Sequence, residues 1–189
     1  MEIRDYIYFE PHSLNSELCN HLIEKFEKDD HKANGLCRGG EYHPEIKRSV
    51  DLNISNTNKE EWAEECDTLQ NILTPPLSRY ADLTRSLIFH HYIHNMDTRH
   101  NGFQIQRTKP DEGYAWHNDS CSQRLLTWIW YLNDVEEGYT EFYDGFKVKP
   151  ETGKLMIFPA TWQYPHRGVP PKTGLKYICT GWVYSNAVS

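Results

Sequence analysis

The chain contains a His-x-Asp pair, His117 and Asp119, in a stretch whose neighbours favour an extended backbone. Side chains two residues apart on an extended segment point to the same side, so an imidazole and a carboxylate can bind one metal ion together. The pair alone is a weak signal, because a polar turn before a strand gives the same pattern. His166, which follows a later apolar segment, would supply a third ligand.

Two histidines and one carboxylate on one face of an octahedral metal leave coordination positions open. This ligand set is typical of non-haem Fe(II) oxygenases, whose chemistry requires open positions for O2. Structural zinc sites instead close a tetrahedron with four ligands, many of them cysteines. Because the five cysteines are scattered and form no C-x-x-C pair, the ligand types favour iron over zinc.

Lys176 is unusual because it lies inside an apolar run, Leu175–Cys179, with the pattern of a buried strand. A lysine in such a place needs an anionic partner. The alternative is a lysine at a strand edge whose ammonium reaches solvent. Trp182 has the same side-chain parity as Lys176, so both would face one side of the strand. Lys176 is therefore a candidate anion-binding residue.

Several motifs follow one another around these residues. In order they are YAWHND at 114–119, RLLTWIWYLN at 124–133, GYTEF at 138–142, GKLMIFP at 153–159, HRGVP at 166–170, GLKY at 174–177 and GW at 181–182. The series resembles the catalytic domain of the prolyl 4-hydroxylase family of 2-oxoglutarate/Fe(II)-dependent dioxygenases. The resemblance is dense from Phe103 to Val183 and looser in the N-terminal half, where a helix and the KRSVDL segment at 47–52 carry it.

The resemblance implies a metal centre. It assigns His117, Asp119 and His166 as the ligands of Fe(II) and, together with Lys176, as the catalytic residues. Because histidine must be neutral to bind a metal, we expect metal affinity to fall in acid.

A site for 2-oxoglutarate is implied as well. Lys176 would pair with its distal carboxylate, Tyr114 would hydrogen-bond the cosubstrate, and Trp182 would line the pocket. Thr127 is a further candidate for a hydroxyl near that carboxylate. A buried ammonium–carboxylate pair is stable only when both partners are present and well hydrogen-bonded, which would select a five-carbon diacid.

The activity implied by the resemblance is hydroxylation of peptidyl proline, with release of succinate and CO2. Fe(II), O2 and 2-oxoglutarate would be required, ascorbate would be a further cofactor, and the partner would be a peptide or protein substrate that contains proline. Two alternatives stay open. One is hydroxylation of another amino acid or a small molecule, and the other is a jelly-roll binding module that keeps the pocket without redox chemistry.

The sequence departs from the family's pattern at three places. Thr108 stands where the family often has tyrosine, and Glu137–Gly138 stands in place of a Gly-Gly pair. A glycine expected near Asp111 is missing, although Gly113 is close by. None of these positions is a metal ligand, so we expect them to affect the shape of the substrate groove.

The secondary structure that must position these residues is predicted to be mainly helical in the N-terminal part and mainly strand in the rest of the chain. Leu14, Leu18 and Leu22 recur at helical spacing after Ser13, which would cap the helix. A second helix would start after Asn58 and end or be interrupted at Pro75–Pro76. Ser49–Ile54 alternates like a strand. After residue 103 the chain has the pattern of short strands separated by Gly, Pro, Asn and Asp: Phe103–Gln106, Arg124–Leu132, Thr140–Tyr143, Lys154–Phe158 and Lys176–Tyr184.

We therefore predict an α+β fold: a double-stranded β-helix (jelly-roll) core with N-terminal helices packed on one sheet. One domain would span residues 1–189, with a helical part at about 1–100 and a β-rich catalytic core at about 101–185. A chain of 189 residues is long enough for one domain with a substantial core.

Composition and charge limit the classes of partner and the compartment that we expect for this protein. The net charge of −7 and the absence of a Lys/Arg-rich run disfavour a nucleic-acid ligand. No apolar stretch is long enough to cross a membrane, and the N-terminus lacks the pattern of a signal peptide. With an odd number of scattered cysteines, these features predict a cytoplasmic protein with reduced thiols.

Two other histidine groups compete as metal sites. His90, His91, His94 and His100 form a cluster without a carboxylate or thiol pattern, so packing is favoured over zinc binding. His43-Pro44-Glu45 repeats the His-x-acid pattern among charged loop residues, and we interpret it as a solvated loop.

Overall fold

The computed structural model describes residues 3–37, 40–56, 60–84, 102–121 and 123–184, and in these ranges the strands form two antiparallel sheets. A short 3-10 helix at Ile3–Tyr6 and two α-helices, α1 (Ser16–Lys28) and α2 (Ala63–Leu83), accompany them. The strands are β1 (Tyr8–Glu10), β2 (Ala33–Asn34), β3 (Val50–Asn53), β4 (Gln104–Thr108), β5 (Tyr114–His117), β6 (Arg124–Tyr131), β7 (Thr140–Phe142), β8 (Lys147–Val148), β9 (Leu155–Pro159), β10 (His166–Gly168) and β11 (Lys176–Tyr184).

The two sheets differ in size and face each other. The large sheet has the order β1-β9-β6-β11-β4-β3-β2, and the small sheet has the order β5-β10-β7-β8. Non-consecutive neighbours such as β9, β6 and β11 show that the chain crosses repeatedly between the sheets. Together with the helices, this arrangement confirms the predicted α+β jelly-roll fold.

Alternation along the central strands gives the large sheet two different faces. On β6, Trp128 and Trp130 belong to a core cluster with the helices, whereas Ile129 and Tyr131 belong to a second cluster with the small sheet. β11 alternates in the same way, with Cys179 facing the helices. Because side chains of a strand alternate between faces, each strand builds the helix-side core and the space between the sheets at once.

The N-cap of the first helix lies two residues after the serine that the sequence predicted for this role. Asn15, not Ser13, is the N-cap: its side-chain oxygen accepts a hydrogen bond from the Leu18 amide at 2.8 Å. The Ser13 hydroxyl accepts instead from the indole N–H of Trp130 at 3.0 Å. The capping prediction was therefore wrong by two residues, because a tertiary contact uses the serine.

The second helix continues through both prolines. α2 runs from Ala63 to Leu83 with Pro75 and Pro76 inside it, so they do not end it. Leu69, Leu73 and Leu77 on this helix are buried against the large sheet, on both sides of the prolines. Burial of one continuous apolar face outweighs the loss of backbone donors at the two prolines.

The N-terminal part is less purely helical than predicted. β1 pairs with β9 at one edge of the large sheet, while β2 and β3 extend the other edge beyond β4. None of the described helices is both long and apolar enough to cross a membrane. The cluster at His90, His91, His94 and His100 lies outside the described residues.

Gly153, just before β9, contacts Leu14, just before helix α1, at a position that only glycine fits. Its φ is +78°, its carbonyl accepts from the Leu14 amide at 3.1 Å, and a β-carbon there would overlap the Leu14 carbonyl oxygen. We predict that Gly153→Ala lowers the free energy of unfolding by about 3 kcal/mol, from left-handed strain plus overlap. Denaturant titration measures this change.

Gly145→Ala is the matched control. Gly145 has a φ of +84°, but nothing lies within 4 Å of the position that a β-carbon would take, so only the strain of about 1 kcal/mol applies. Equal losses in the two variants would contradict the packing role of Gly153.

Candidate active site

The small sheet places two histidines side by side. His117 is the last residue of β5 and His166 the first residue of β10, and the two are register partners in the antiparallel pair. Their rings are 4.3 Å apart between centroids. This pairing brings together two residues that are distant in sequence, as the predicted ligand set requires.

Asp119 completes a compact group. It follows β5 by two residues and lies 3.8 Å from His117 Nε2 through one oxygen and 3.8 Å from His166 Nε2 through the other. One ligand atom from each of the three residues lies within 4.8 Å of the others. Among the described residues, no other group of His, Cys, Asp or Glu is arranged so that it could hold a metal ion.

Hydrogen bonds fix the orientation of both imidazoles. The Nδ1 atom of His117 is 2.8 Å from the Ala115 carbonyl, and that of His166 is 3.0 Å from the Tyr164 carbonyl. A carbonyl only accepts, so Nδ1–H is the donor in each ring and the Nε2 lone pair points towards the group. Two imidazoles and a carboxylate fit an Fe(II) ion with open positions.

The protonation states suit metal binding. Burial, followed by the proximity of His166, lowers the pKa of His117 to about 3, so the ring stays neutral. Burial by itself would raise the pKa of Asp119, but the neighbouring His166 and His117 and the Thr127 hydroxyl together lower it. The carboxylate is therefore ionised, and both His117 and Asp119 carry free lone pairs near neutral pH.

A cavity of about 80 Å³ extends from this group between the two sheets and contains Lys176. Lys176 is 5% exposed, and its ammonium donates to the Gly138 carbonyl at 3.0 Å. Among the described residues it forms no ion pair, and burial lowers its pKa to about 8. An unpaired ammonium at the inner end of a cavity is the predicted receptor for a carboxylate.

Tyr114 lies against the first ligand. Its ring stacks on the His117 ring with 3.5 Å between centroids and 14° between planes. Burial raises the pKa of its hydroxyl to about 12, so it remains a donor. Tyr114 lines the cavity, and its predicted hydrogen bond to a cosubstrate stays a prediction.

Residues 46–51 of the N-terminal half contact Tyr114 and the β5 backbone next to it. The Lys47 ammonium lies 5.5 Å from the Tyr114 ring centroid and forms a buried ion pair with Asp51 at 2.6 Å. The Ala115 amide donates to the Ile46 carbonyl at 2.7 Å. Sequence reasoning missed this contribution, because nothing in the motif series connects residues 46–51 with β5.

Trp182 lies where the cavity opens into a wider groove. The Arg124 guanidinium stacks 3.6 Å from its ring centroid. Its indole N–H has no hydrogen-bond partner among the described residues, although it is near enough to Asp119 to help lower the pKa of that carboxyl. The prediction that Trp182 lines the pocket agrees with the cavity's lining.

The hydroxyls around the cavity have different partners. Thr127 Oγ1 donates to Asp119 Oδ2 at 2.6 Å, so its proton serves the carboxylate ligand, and a direct role towards a cosubstrate stays a prediction. Thr140, which the sequence did not single out, accepts from the Tyr131 hydroxyl at 2.7 Å and keeps its own proton. Thr108 lines the inner cavity and not the outer groove, which differs from the expectation for that position.

The second His-x-acid pair is a surface feature. His43 is flanked by Glu41 and Glu45, each 3.0 Å from one ring nitrogen, and both acids are exposed. The carboxylates of Glu41 and Glu45 raise the pKa of the His43 ring, which favours the charged form and disfavours metal binding. The interpretation as a solvated loop agrees with these contacts.

Residues 103–184 match the family description of the 2OG-Fe(II) oxygenase superfamily. No curated protein sequence matches the chain. A prolyl-4-hydroxylase from Pseudomonas putida has the same fold with a TM-score of 0.71 and 18% identity, covering 94% of this chain and 92% of that chain.

Two further solved structures are similar. A viral collagen prolyl hydroxylase from Paramecium Bursaria Chlorella virus-1, in its 2OG complex, has a TM-score of 0.64 and 23% identity, covering 94% of each chain. A prolyl hydroxylase from Trichoplax adhaerens, in complex with a peptide fragment of the hypoxia inducible factor oxygen degradation domain, has a TM-score of 0.70 and 15% identity, covering 96% of this chain and 84% of that chain. At these identities the likeness shows the fold.

The bond from Thr127 to Asp119 predicts an indirect effect on metal binding. Thr127→Val removes the hydroxyl that holds Oδ2, so the carboxylate loses its fixed orientation. We expect metal affinity to fall by about 10- to 100-fold, measured by titration with Co²⁺ in the absence of cosubstrate. Thr127→Ser keeps the hydroxyl and should retain most of the affinity. Equal metal affinity in the valine and serine variants would contradict this role.

Proposed function

We propose that the chain hydroxylates peptidyl proline, starting from the premise that residues 103–184 belong to the 2OG-Fe(II) oxygenase superfamily. It is a dioxygenase that uses Fe(II), O2 and 2-oxoglutarate. The single observation that supports our site assignment is the convergence of His117, Asp119 and His166 within 4.8 Å, in the cavity that contains the unpaired ammonium of Lys176.

In this proposal His117, Asp119 and His166 hold the iron through two Nε2 atoms and one carboxylate. When bound, iron and 2-oxoglutarate supply the oxidising power that converts a C–H bond into C–OH while the cosubstrate yields succinate and CO2. The chain's own contribution is geometric: the Ala115 and Tyr164 carbonyls fix both rings before any ligand arrives. Fixed ligands need no reorganisation when charge develops at the site.

Lys176 is the proposed anchor for the distal carboxylate. Its ammonium has three donors, of which the Gly138 carbonyl takes one. The Thr140 hydroxyl, which accepts from Tyr131, has a proton available for an acceptor in the same cavity. The inward faces of β6 and β11, with Ile129 and Ile178, limit the access of water to this end.

Peptide binding is proposed from the groove that joins the cavity at Asp119 and Trp182. The groove is open along β2, β3 and β4 and could admit an extended chain. The three similar structures are prolyl hydroxylases, and one of them holds a peptide fragment. These likenesses support a proline-containing peptide as the substrate of this chain.

A second candidate substrate is another amino acid or a small polar molecule. One observation favours it: the groove is lined mainly by amide and charged side chains, among them Asn34, Asn53, Gln104, Gln106 and Arg124. An apolar proline ring gains little from such groups, whereas a polar substrate would use them directly. Both candidates share the same iron and cosubstrate residues.

We further propose that residues 1–189 fold as one domain in the cytoplasm. β1, β2 and β3 complete the large sheet that β4, β6, β9 and β11 begin, so the oxygenase segment and the N-terminal part share one core. No disulfide bond joins the described cysteines, which suits a reducing compartment.

The test of the proposed function measures succinate and peptide mass together. Protein loaded with Fe(II), with ascorbate present, is incubated with 2-oxoglutarate and proline-containing peptides, each matched by a copy with alanine in place of proline. We expect succinate and a mass gain of one oxygen atom with the proline peptides. His166→Ala should abolish both products, whereas His43→Ala should not change them, because the His43 side chain is 41% exposed and its ring forms ion pairs only with Glu41 and Glu45 in the part of the chain that the structure describes.

Two outcomes would contradict parts of this proposal. Oxidation of the alanine copies would exclude proline as the target and favour the second candidate. Failure of the iron-loaded protein to convert 2-oxoglutarate at all, with or without peptide, would contradict the proposed site.

The lowered pKa of Lys176 predicts how cosubstrate binding varies with pH. Only the protonated ammonium attracts a carboxylate, and burial lowers the pKa of this group to about 8. The affinity for 2-oxoglutarate should therefore be constant below pH 8 and fall by up to about tenfold per pH unit above it. Calorimetric titration of the Fe(II)-loaded protein without O2 measures this profile.

Lys176→Met should weaken binding at neutral pH and abolish the decline above pH 8. Lys172→Met is the control, because Lys172 is exposed and pairs with Glu136 at 2.6 Å. A Lys176→Met variant with unchanged affinity would contradict the anchor assignment.

A further inference from the structure

We propose that Trp116 is a positioning residue for the metal site and acts through a contact with Arg167 on the outer face of the small sheet. Trp116 directly precedes His117 on β5, and Arg167 directly follows His166 on β10. The neighbours of the two histidines contact each other on the outer face, as the histidines do on the inner face. The inference rests on the proposed function and concerns two residues outside the ligand set.

Strand β5 contains one residue more than β10 between two of their paired positions. His117 is the partner of His166. Tyr114 is the partner of Gly168, so two steps along β10 correspond to three steps along β5. Residues three apart on a regular strand point to opposite faces, yet Tyr114 and His117 both line the cavity. A bulge at Ala115–Trp116 therefore lets both side chains face inward.

The bulge also carries the carbonyl that orients the first ligand. His117 Nδ1 is 2.8 Å from the Ala115 carbonyl oxygen. A bulge interrupts the regular ladder of hydrogen bonds, so contacts outside the ladder must hold its backbone. On the edge of β5 away from β10, the Ala115 amide donates to the Ile46 carbonyl at 2.7 Å. The other bulge residue, Trp116, is held through its side chain, and a shift of its backbone would move the carbonyl that directs His117 Nε2.

The side chain of Trp116 has two ring contacts on the outer face. The Arg167 guanidinium lies over the indole, 4.9 Å from its centroid, and the Tyr143 ring packs at 75° to it with 5.5 Å between centroids. A cation over the face of an indole is attracted by the charge distribution of the ring. The contact with Arg167 crosses from β5 to β10, so it connects the bulge to the strand that carries the second histidine.

A carboxylate on the next strand fixes the guanidinium. Arg167 is paired directly with Glu141 of β7, and its Nε and Nη2 atoms lie 2.8 Å and 2.6 Å from Oε2 of that carboxylate. The Lys147 ammonium on β8 lies 3.7 Å from the other oxygen. A guanidinium held by a carboxylate keeps its planar face available for an aromatic ring. The four strands of the small sheet thus carry one connected row on their outer face: Trp116, Arg167, Glu141 and Lys147.

Core packing does not account for Trp116. The residue is 42% exposed and belongs to neither of the two hydrophobic clusters that the described residues form. Its contacts are with side chains of the outer face, next to the backbone that holds the two histidines. Removal of the ring should therefore change the geometry of the ligands more than the stability of the fold.

The experiment measures the affinity for Co²⁺ and the visible spectrum of the bound ion, which reports the arrangement of its ligands. Trp116→Ala removes the ring, Trp116→Phe keeps a ring for the guanidinium, and Arg167→Met removes the charge from the other side of the contact. The double variant Trp116→Ala with Arg167→Met tests whether the two residues act through one contact. Thermal unfolding without metal is recorded for every variant.

Trp162→Ala is the matched control. Trp162 lies in the segment between β9 and β10 and is 71% exposed. Within the part of the chain that the structure describes, its side chain stacks on no ring and no cation. This variant removes an exposed indole of the same kind without touching the bulge.

We expect Trp116→Ala to bind Co²⁺ about tenfold more weakly, as for the loss of a group that orients a metal ligand, with altered visible bands. Arg167→Met should also weaken binding, and the two losses should not multiply in the double variant, because both changes remove the same contact. Trp116→Phe should recover most of the affinity. Trp162→Ala should match the unmodified protein in affinity and spectrum.

The inference is overturned if folded Trp116→Ala binds Co²⁺ with unchanged affinity and spectrum, or if Trp162→Ala causes the same loss. Losses that multiply in the double variant would overturn the role of the contact with Arg167. If Trp116→Ala does not fold, Arg167→Met decides the question by the same two measurements. A failure of the unmodified protein to bind Co²⁺ would instead overturn the proposed site, and the two failures are distinguishable because the first requires an unmodified protein that binds.

Discussion

The pairing of β5 with β10 is the constraint on which the site depends. It sets His117 opposite His166, and the turn after β5 then brings Asp119 between their Nε2 atoms. A shift of one residue in this register would turn one histidine to the other face of the sheet. Backbone carbonyls hold both rings, so the ligand geometry follows from strand pairing and needs no contribution from the ion.

The two faces of the large sheet carry different kinds of side chain. Its helix side buries Trp128, Trp130 and Cys179 in an apolar core, and that core stabilises the fold. The opposite face of the same strands can then carry Thr127, Lys176 and other polar residues without interrupting the core. Because side chains alternate along a strand, the residues that build the core and the polar residues that line the cavity lie on opposite faces of the same strand. Lys176, which has no ion pair within the described part of the chain, is tolerated because the helix-side core offsets its cost.

Much of this arrangement could be predicted from the sequence. Strand β11 was predicted with its bounds at Lys176–Tyr184, and the grouping of His117, Asp119 and His166 was predicted from a His-x-Asp pair and a distant histidine. Other features depend on tertiary contacts that local patterns do not encode. Ser13 looks like a cap but bonds Trp130, and helix α2 passes through two prolines because its buried face continues.

Thr108 shows most clearly where sequence reasoning ends. Its place in the cavity depends on β4 lying beside β11 in a register that opposes it to Lys176, and strand order cannot be read from spacing. Among the described residues the Lys176 ammonium at this end has no anion. A ligand that supplies one carboxylate would pair with this ammonium, so binding at this end relieves a cost already present in the fold. In the proposed function this arrangement favours a diacid, because a monoacid of the same length would leave the Lys176 ammonium buried and without an anion.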